Sequence, residues 1–492
     1  MTGAAFWLTL AVAVDVAFRI AALVIVPHNR RPQTAMAWLL AIFFIPYVGF
    51  LAFVLFGSRR LPKSRRDKQA AINAHVRERS RLLPPATRVS PEDIEASGRY
   101  PDWVPGLVRL NEHLGAMPMV RGNRVELWTD YQATINEMAR AIDDATTSVH
   151  VEFYIMSYDA TTAGFFGALE RAIQRGLTVR VLYDQLASAR IRGYRELKKE
   201  LSRIGADYRA MLPVLPWRGV YQRPDLRNHR KLLILDSRLA FTGSQNVIES
   251  SYRNPRHAAR GLHWLDLMIA VSGPLVDNLE ALFVSDWFQE TGQLIETPVP
   301  RATPTRGTNT IWAQVVPSGP GFDGENNLRL FNAIVYGAKR RLVLSSPYFV
   351  PDESMRYAIT SAAERGVDVH LIVSEIGDQP LVFYAQRSYY EELLLAGVTI
   401  WLYRAPTILH AKFIVADDTV SVIGSSNVDM RSFSLNLEVS VLIASDTIAT
   451  RLETLVADYL SHSTRLTLED WRTRPAGLRF VEGLARLTAT VQ

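Results

Sequence analysis

The stretch His229-Arg230-Lys231-Leu232-Leu233-Ile234-Leu235-Asp236 returns 181 residues later as His410-Ala411-Lys412-Phe413-Ile414-Val415-Ala416-Asp417. Each copy is followed at the same distance by Gly-Ser-x-Asn, as Gly243-Ser244-Gln245-Asn246 and Gly424-Ser425-Ser426-Asn427. One His-x-Lys-x4-Asp says little, since a strand histidine beside a surface lysine accounts for it. Two copies with matched downstream spacing mark a duplicated unit, and such a unit can set two histidines on opposite sides of one substrate.

The residue types suit one kind of chemistry. The apolar runs 232–235 and 413–415 read as short buried strands, each preceded by its His and Lys. Side chains alternate along a strand, so His229 and Lys231 share a face, as do His410 and Lys412. Ser244 with Asn246, and Ser425 with Asn427, repeat that two-residue step. Asp236 and Asp417 sit in turn-like sequence, where a carboxylate bonds the backbone or holds the nearby lysine. Together the copies offer two imidazoles, two ammonium groups, two hydroxyls and two amides. That is a pocket for a phosphodiester: Lys, Ser and Asn donors match its non-bridging oxygens, and an imidazole attacks phosphorus or carries a proton.

On these motifs the chain resembles the phospholipase D superfamily and, within it, the bacterial cardiolipin synthases. The likeness extends to Ser346-Pro347-Tyr348-Phe349-Val350-Pro351-Asp352 and to the run from Gly424 through Asn427-Val428-Asp429-Met430-Arg431-Ser432 to Asn436-Leu437-Glu438. It implies an α/β fold of two tandem half-domains, each a mixed sheet flanked by helices, sharing one active site. It implies transfer of a phosphatidyl group from one phosphatidylglycerol to another through a phosphohistidine, releasing glycerol. The catalytic set is then His229, Lys231, Asp236, His410, Lys412 and Asp417, with Ser244, Asn246, Ser425 and Asn427 on the phosphate. By analogy His229 attacks and His410 is the acid and base, although the near-symmetric copies do not decide this. An imidazole also needs its far nitrogen held. Glu438 fits that task for the second half. His257 falls at the corresponding position of the first, so Asp266 is the substitute there. No metal and no cofactor are implied. A phospholipase D that hydrolyses lipid differs only in admitting water. A nuclease is disfavoured by the apolar N-terminus, and a lipid-binding scaffold without turnover by two intact copies. Tyr348 and Phe349 read as core.

The 492 residues are 48% hydrophobic with a mean hydropathy of +0.02, high for a soluble enzyme. The excess lies at the start, where 4–26 and 35–56 are nearly all apolar and each long enough for a ~30 Å hydrocarbon layer. The first lacks a basic leader and is followed at once by the second, so an uncleaved two-helix transmembrane hairpin is expected rather than a signal peptide. Asp15 and Arg19, four apart, can pair, and Pro46 with Gly49 suggests a bend. Arg59, Arg60, Lys63, Arg65, Arg66 and Lys68 follow the hairpin and place both ends on the cytoplasmic side of a bacterial inner membrane, against the weaker pull of Arg30 and Arg31 in the loop. The same cluster suits anionic headgroups, as does a pI near 9.4. A net charge of +6 is too modest to indicate nucleic acid. Zero cysteines excludes disulfides and thiolate metal sites. Oligomeric state is not legible.

The expected organisation is a hairpin at 1–58, a basic juxtamembrane linker at 59–117, the first half-domain at 118–296, a proline-rich connection at 297–310, the second half-domain at 311–470 and a C-terminal helix at 471–492. Helix and strand patterns alternate in both halves as in an α/β sheet. Gly176 and Gly366 each end a helix before a strand, as left-handed C-caps. Phe480, Val481, Leu484, Leu487 and Val491 have helical spacing in the tail and are expected to pack on the core.

Overall fold

The computed structural model describes residues 3–28, 30, 32–57, 63–115, 117–215, 222–298, 311–322 and 324–489. The chain forms two compact units: residues 1–61 with 223–225, and the remainder.

In the larger unit one sixteen-stranded sheet runs through both halves. From the first edge its strands are Asp207–Met211, Thr178–Asp184, Ser148–Phe153, Lys231–Leu235, Leu239–Gly243, Met268–Ser272 and Val120–Trp128. The second half then continues with Ile311–Ser318, Asn436–Ala444, Val420–Gly424, Phe413–Ala416, Arg341–Ser345, Asp368–Ser374, Thr399–Tyr403 and Ser463–Leu466, and the sixteenth strand, Arg227–Asn228, pairs with Asn436–Ala444 off this path. Outward from the junction, the two lists repeat one order. Ser148–Phe153 and Thr178–Asp184 pair in parallel, joined by the helix Ala163–Gln174. Arg341–Ser345 and Asp368–Ser374 do the same around Glu353–Glu364. Both crossover helices end on the glycines the sequence points to, Gly176 at φ +84° and Gly366 at φ +90°, where a side chain would be strained. Each His-x-Lys copy leads into a strand antiparallel to its neighbours, Lys231–Leu235 and Phe413–Ala416. The runs 232–235 and 413–415 are buried throughout because helices cover both faces of the sheet.

Among the described residues, the three largest apolar clusters hold the unit together. Phe165, Phe166 and Leu169 pack the outer face of the first half, and Phe331, Ile334 and Ile359 that of the second. The third takes Ile234, Val271, Phe283 and Trp287 from the first half and Val441, Leu452 and Tyr459 from the second. Trp287 is wholly buried, and its loss would cost about 3–5 kcal/mol. The halves therefore share a core.

Two sequence expectations change. The segment expected as a linker at 59–117 is folded onto the core over most of its described length. Val104–Gly115 is a helix whose Val104, Leu107 and Val108 are buried against Leu328 and Phe331; spacings of three and four put them on one face. Ser90 and Asp93 form a reciprocal capping box at the start of Pro91–Ser97. Arg65, expected at lipid headgroups, instead reaches both carboxylate oxygens of Glu290 at 2.9 and 3.0 Å, and Lys68 donates to Gln289 O. Arg59 and Arg60 lie outside the described residues, as does the connection from 299 onward. The tail is reversed as well: the helix Ala476–Arg486 buries Glu482 and Ala485, while Phe480, Val481, Leu484 and Leu487 face outward. Val491 is outside the described residues.

In the smaller unit, Gly3–Ile25 is one helix, but the second apolar run divides into Pro32–Phe44 and Pro46–Phe56. The break falls at Pro46, which cannot continue a helical hydrogen-bond ladder. A side chain at Gly49 would lie 2.4 Å from Ala41 O, so glycine permits the close turn. Ala22, Val26, Ala35, Ile42 and Phe53 form a small core, and Arg19 Nε bonds Asp15 at 2.7 Å. Among the described residues no helix is long and apolar enough to cross a membrane.

Candidate active site

Short parallel pairings between the halves position both histidines. Arg227–Asn228 lies beside Asn436–Leu437, and the next amide, His229 N, donates to Leu437 O at 2.8 Å. Thr407–Leu409 lies beside His263–Leu265, and His410 N donates to Leu265 O at 2.7 Å. Each histidine is thus carried on a segment hydrogen-bonded to the opposite half. The step that follows brings in the carboxylates. His229 Nδ1 is 3.0 Å from Glu438 Oε2, and His410 Nδ1 is 2.7 Å from Asp266 Oδ1.

The two acids expected to hold the imidazoles therefore do so, but crosswise. Glu438 was expected to serve the second-half histidine and Asp266 the first. The inter-half pairings set the reverse. Asp266 and Glu438 are structurally equivalent despite unequal sequence offsets, because Ser244 N bonds Leu267 O and Ser425 N bonds Val439 O, each at 2.9 Å. Additional chain between Asn246 and Asp266, including the helix Pro255–Ala259, hides the correspondence in the sequence.

The serines act one layer back. Ser244 Oγ donates to Asp266 Oδ1 at 2.6 Å, and Ser425 Oγ to Glu438 Oε2 at 2.5 Å. Both are wholly buried, so the expected contact of these hydroxyls with phosphate is replaced by a grip on the carboxylates. Lys231 Nζ and Lys412 Nζ each fold back onto the carbonyl of their own motif histidine, at 2.5 and 2.7 Å. Neither lysine is held by its motif aspartate. Asp236 instead accepts the backbone N–H groups of Thr146, Thr147 and Ser148 at 2.7–3.0 Å. Asp417 accepts those of Lys339, Arg340 and Arg341. An extended strand rises about 3.3 Å per residue, so each aspartate stands some 16 Å from its lysine. Both are anchors at the far ends of their strands.

Burial sets the proton inventory. It pushes the His229 imidazole well below its ordinary value and His410 down to about 4, with the two lysines adding to the effect. It brings Lys231 down to about 7 and Lys412 to about 8. Burial alone would raise both acids. It prevails for Glu438, pushed up to about 7, whereas His410, Lys412 and Ser244 hold Asp266 below its usual range.

His229, His410, Asn246 and Asn427 line one cavity of about 710 Å3. Asn246 Oδ1 accepts from Ile155 N, and its amide donates to the Tyr252 hydroxyl at 2.9 Å. The Tyr154 ring lies 4.7 Å from the His229 ring, and that of Tyr348 6.4 Å from His410. A neutral imidazole pair, two low-pKa ammonium groups behind it and amides on the wall can take up one phosphodiester and pass a proton across it.

Comparison with known proteins meets the same reading. The family model for the cardiolipin synthase, phospholipase D-like domain matches residues 138–287 and 333–459, and one for a phospholipase D-nuclease N-terminal region matches 7–58. Cardiolipin synthase A of Pectobacterium carotovorum is 33% identical over 464 residues, 94% of this chain and 93% of that protein. That of Proteus mirabilis is 32% identical over 489 residues, 97% and 95% of the two chains. This chain belongs to the cardiolipin synthase family. A phosphatidylserine synthase from Haemophilus influenzae shares the fold, with a TM-score of 0.60 at 15% identity over 79% of this chain and all of that one.

For a cardiolipin synthase family member, the cavity wall holds more than the paired motifs disclose. Tyr154, Arg190, Tyr252, Trp264, Asp378 and Arg431 all line it. Tyr348, expected in the core, also lines it and donates to Asp378 at 3.0 Å, while Phe349 is buried as expected. Tyr348 gave a usable signal: it precedes a buried strand in the second half where Tyr154 follows one in the first. Arg190 and Asp378 lie in loops with no repeated pattern.

Proposed function

We propose that this family member condenses two phosphatidylglycerols into cardiolipin and glycerol through a phosphatidyl-histidine on His229. It is a phosphatidyltransferase, and the observation that carries the detailed reading is the pair of carboxylate-held imidazoles on one cavity. In the first step His229 Nε2 attacks phosphorus, the bond from phosphorus to the glycerol oxygen breaks, and His410 gives that oxygen its proton. In the second, His410 takes the proton of an incoming glycerol hydroxyl, whose oxygen displaces His229. Two inversions leave the configuration at phosphorus retained. Lys231, Lys412, Asn246 and Asn427 stabilise charge on the non-bridging oxygens, and Ser244 and Ser425 fix the carboxylates. The phosphodiester anion favours the proton that His410 must carry, since it enters beside an imidazole otherwise kept neutral.

The smaller unit is proposed to embed as a helical hairpin in the bacterial inner membrane, with the larger unit cytoplasmic. Its outward apolar side chains support this: Trp7, Val24, Phe44 and Tyr47 are all more than two-thirds exposed, a surface costly in water. Incubating the full chain with labelled phosphatidylglycerol tests the reaction. Cardiolipin plus glycerol is expected. Phosphatidic acid plus glycerol would make it a hydrolase, and unchanged lipid a binding protein.

A further inference from the structure

The last helix breaks the usual rule of amphipathic packing. In Ala476–Arg486 the side chain turned inward is Glu482, 1% exposed, together with Ala485. Arg387 Nε donates to Glu482 Oε1 at 2.8 Å and Arg474 Nε to Oε2 at 2.9 Å. Both guanidinium groups also lie over Trp471, at 4.7 and 4.1 Å from its ring. These buried charge-assisted bonds fix the rotation of the helix, because turning it would strand Glu482 or both arginines. The apolar arc is consequently held outward. At 100° per residue Phe480, Val481, Leu484 and Leu487 fall on one side, and they are 73%, 42%, 56% and 76% exposed. Arg479 is exposed on one flank of the helix, whereas Arg486 stacks on the Tyr389 ring at 4.5 Å and approaches Glu392.

The helix that Ala476–Arg486 packs against is Pro380–Arg387. Its first residues, Pro380, Leu381 and Val382, line the cavity that holds the two histidines, and Leu381 is half exposed. Exposed apolar side chains thus stand both on the last helix and, at Leu381, on the helix it packs against where that helix meets the cavity. A diacyl lipid has to leave its bilayer and bring its headgroup phosphorus to the imidazoles. An apolar face near the entrance, with the exposed Arg479 on its flank, fits an anionic bilayer surface.

We infer that Ala476–Arg486 docks on the acyl-headgroup boundary of an anionic membrane and seats the cavity lip against it. The inference rests on the lipid-substrate reading above, yet its test does not require turnover. The chain has no cysteine, so Leu484→Cys carries a fluorophore at a single place. The full chain is reconstituted in phosphatidylglycerol–phosphatidylcholine vesicles with plain or brominated acyl chains. A label at Arg140→Cys, on the helix Tyr131–Asp144, gives the aqueous baseline. Brominated lipid is expected to quench the Leu484 label at least twofold more than the Arg140 label. Equal quenching overturns the proposal, as does shielding of the Leu484 label by protein without quenching. In a second measurement, Phe480→Asp with Leu484→Asp is expected to lower the ratio of turnover on vesicles to turnover on dispersed short-chain lipid about tenfold. Leu484→Met restores the ratio, and a ratio unmoved by the aspartates also overturns the proposal. Should the wild type hydrolyse rather than transfer, the quenching result would still stand.

Discussion

The two histidine environments share a plan and differ in charge. His410 faces Asp266, held ionised by His410, Lys412 and Ser244, whereas His229 faces Glu438, which burial pushes up to about 7. A fully ionised carboxylate stabilises an imidazolium, which supports the proposed role of His410 as the proton carrier. The weaker charge of Glu438 supports the proposed role of His229 as a neutral imidazole that presents a lone pair. Near-identical motifs thus supply unequal chemistry because their carboxylate partners are unequal.

The sharpest way to break that comparison is to remove each imidazole in turn. His229→Ala and His410→Ala are each expected to lower cardiolipin formation by about 10^3-fold or more. A phosphatidyl donor with a p-nitrophenol leaving group separates them, since an acidic alcohol departs without a proton. Release of nitrophenol should recover in His410→Ala and stay lost in His229→Ala; the opposite pattern would exchange the roles. Next come the carboxylates. Asp266→Asn is expected to cost about 10^2–10^4-fold, by permitting the wrong tautomer. Glu438→Gln should cost about tenfold less, since a nucleophilic imidazole needs only an acceptor at Nδ1, which the Gln carbonyl still supplies. Equal losses would mean that the two sides do not differ.

The pH profile sharpens the same contrast. Below about 7 Glu438 gains a proton; its O–H then donates to Nδ1 and leaves the hydrogen on Nε2, which cannot attack. Above about 7 and 8, Lys231 and Lys412 lose theirs, and phosphate binding weakens. We expect kcat/KM to form a narrow bell with its maximum near pH 7. In Glu438→Gln the acid limb should disappear. A profile flat from pH 6 to 9 would contradict this assignment.

The smallest effect belongs to the aspartates that complete each motif. Burial raises the Asp236 carboxyl, but three backbone N–H groups outweigh it and bring it down to about 2. Its contribution is present above its unfolded value near ~4 and lost as pH falls through about 2. Asp236→Ala should lower stability at pH 7 by about 1–2 kcal/mol, a figure reduced for its partial exposure. Urea unfolding would show the gap between wild type and variant closing from pH 4 to 2. An unchanged midpoint at pH 7 would remove its role as an anchor.

Much of the site was legible because its chemistry repeats at a fixed spacing. The duplicated motifs named both imidazoles, both lysines and both asparagines, and periodicity located the buried strand after each motif and the helices that end on Gly176 and Gly366. Pairing between the halves was not legible, since sequence orders each half but says nothing of which strand ends meet. That is why Glu438 and Asp266 were assigned to the wrong histidines. Ser244 and Ser425 were misread for a related reason: a two-residue step gives the face of a strand, and their hydroxyls are taken by carboxylates before the cavity is reached. The tail misled because helical spacing reveals an apolar arc without revealing which side is inside. Only the Glu482 ion pairs decide that.

The crossed carboxylates also constrain ancestry. Two identical copies of one half, assembled as a dimer, would have to give both imidazoles the same acid. Fusion into a single polypeptide lifts that requirement, so one position can hold Asp and its counterpart Glu, and donor and nucleophile can diverge by mutation at a single codon. A half expressed alone would inherit a histidine without its acid, so exchanging halves between relatives succeeds only when both partners travel together.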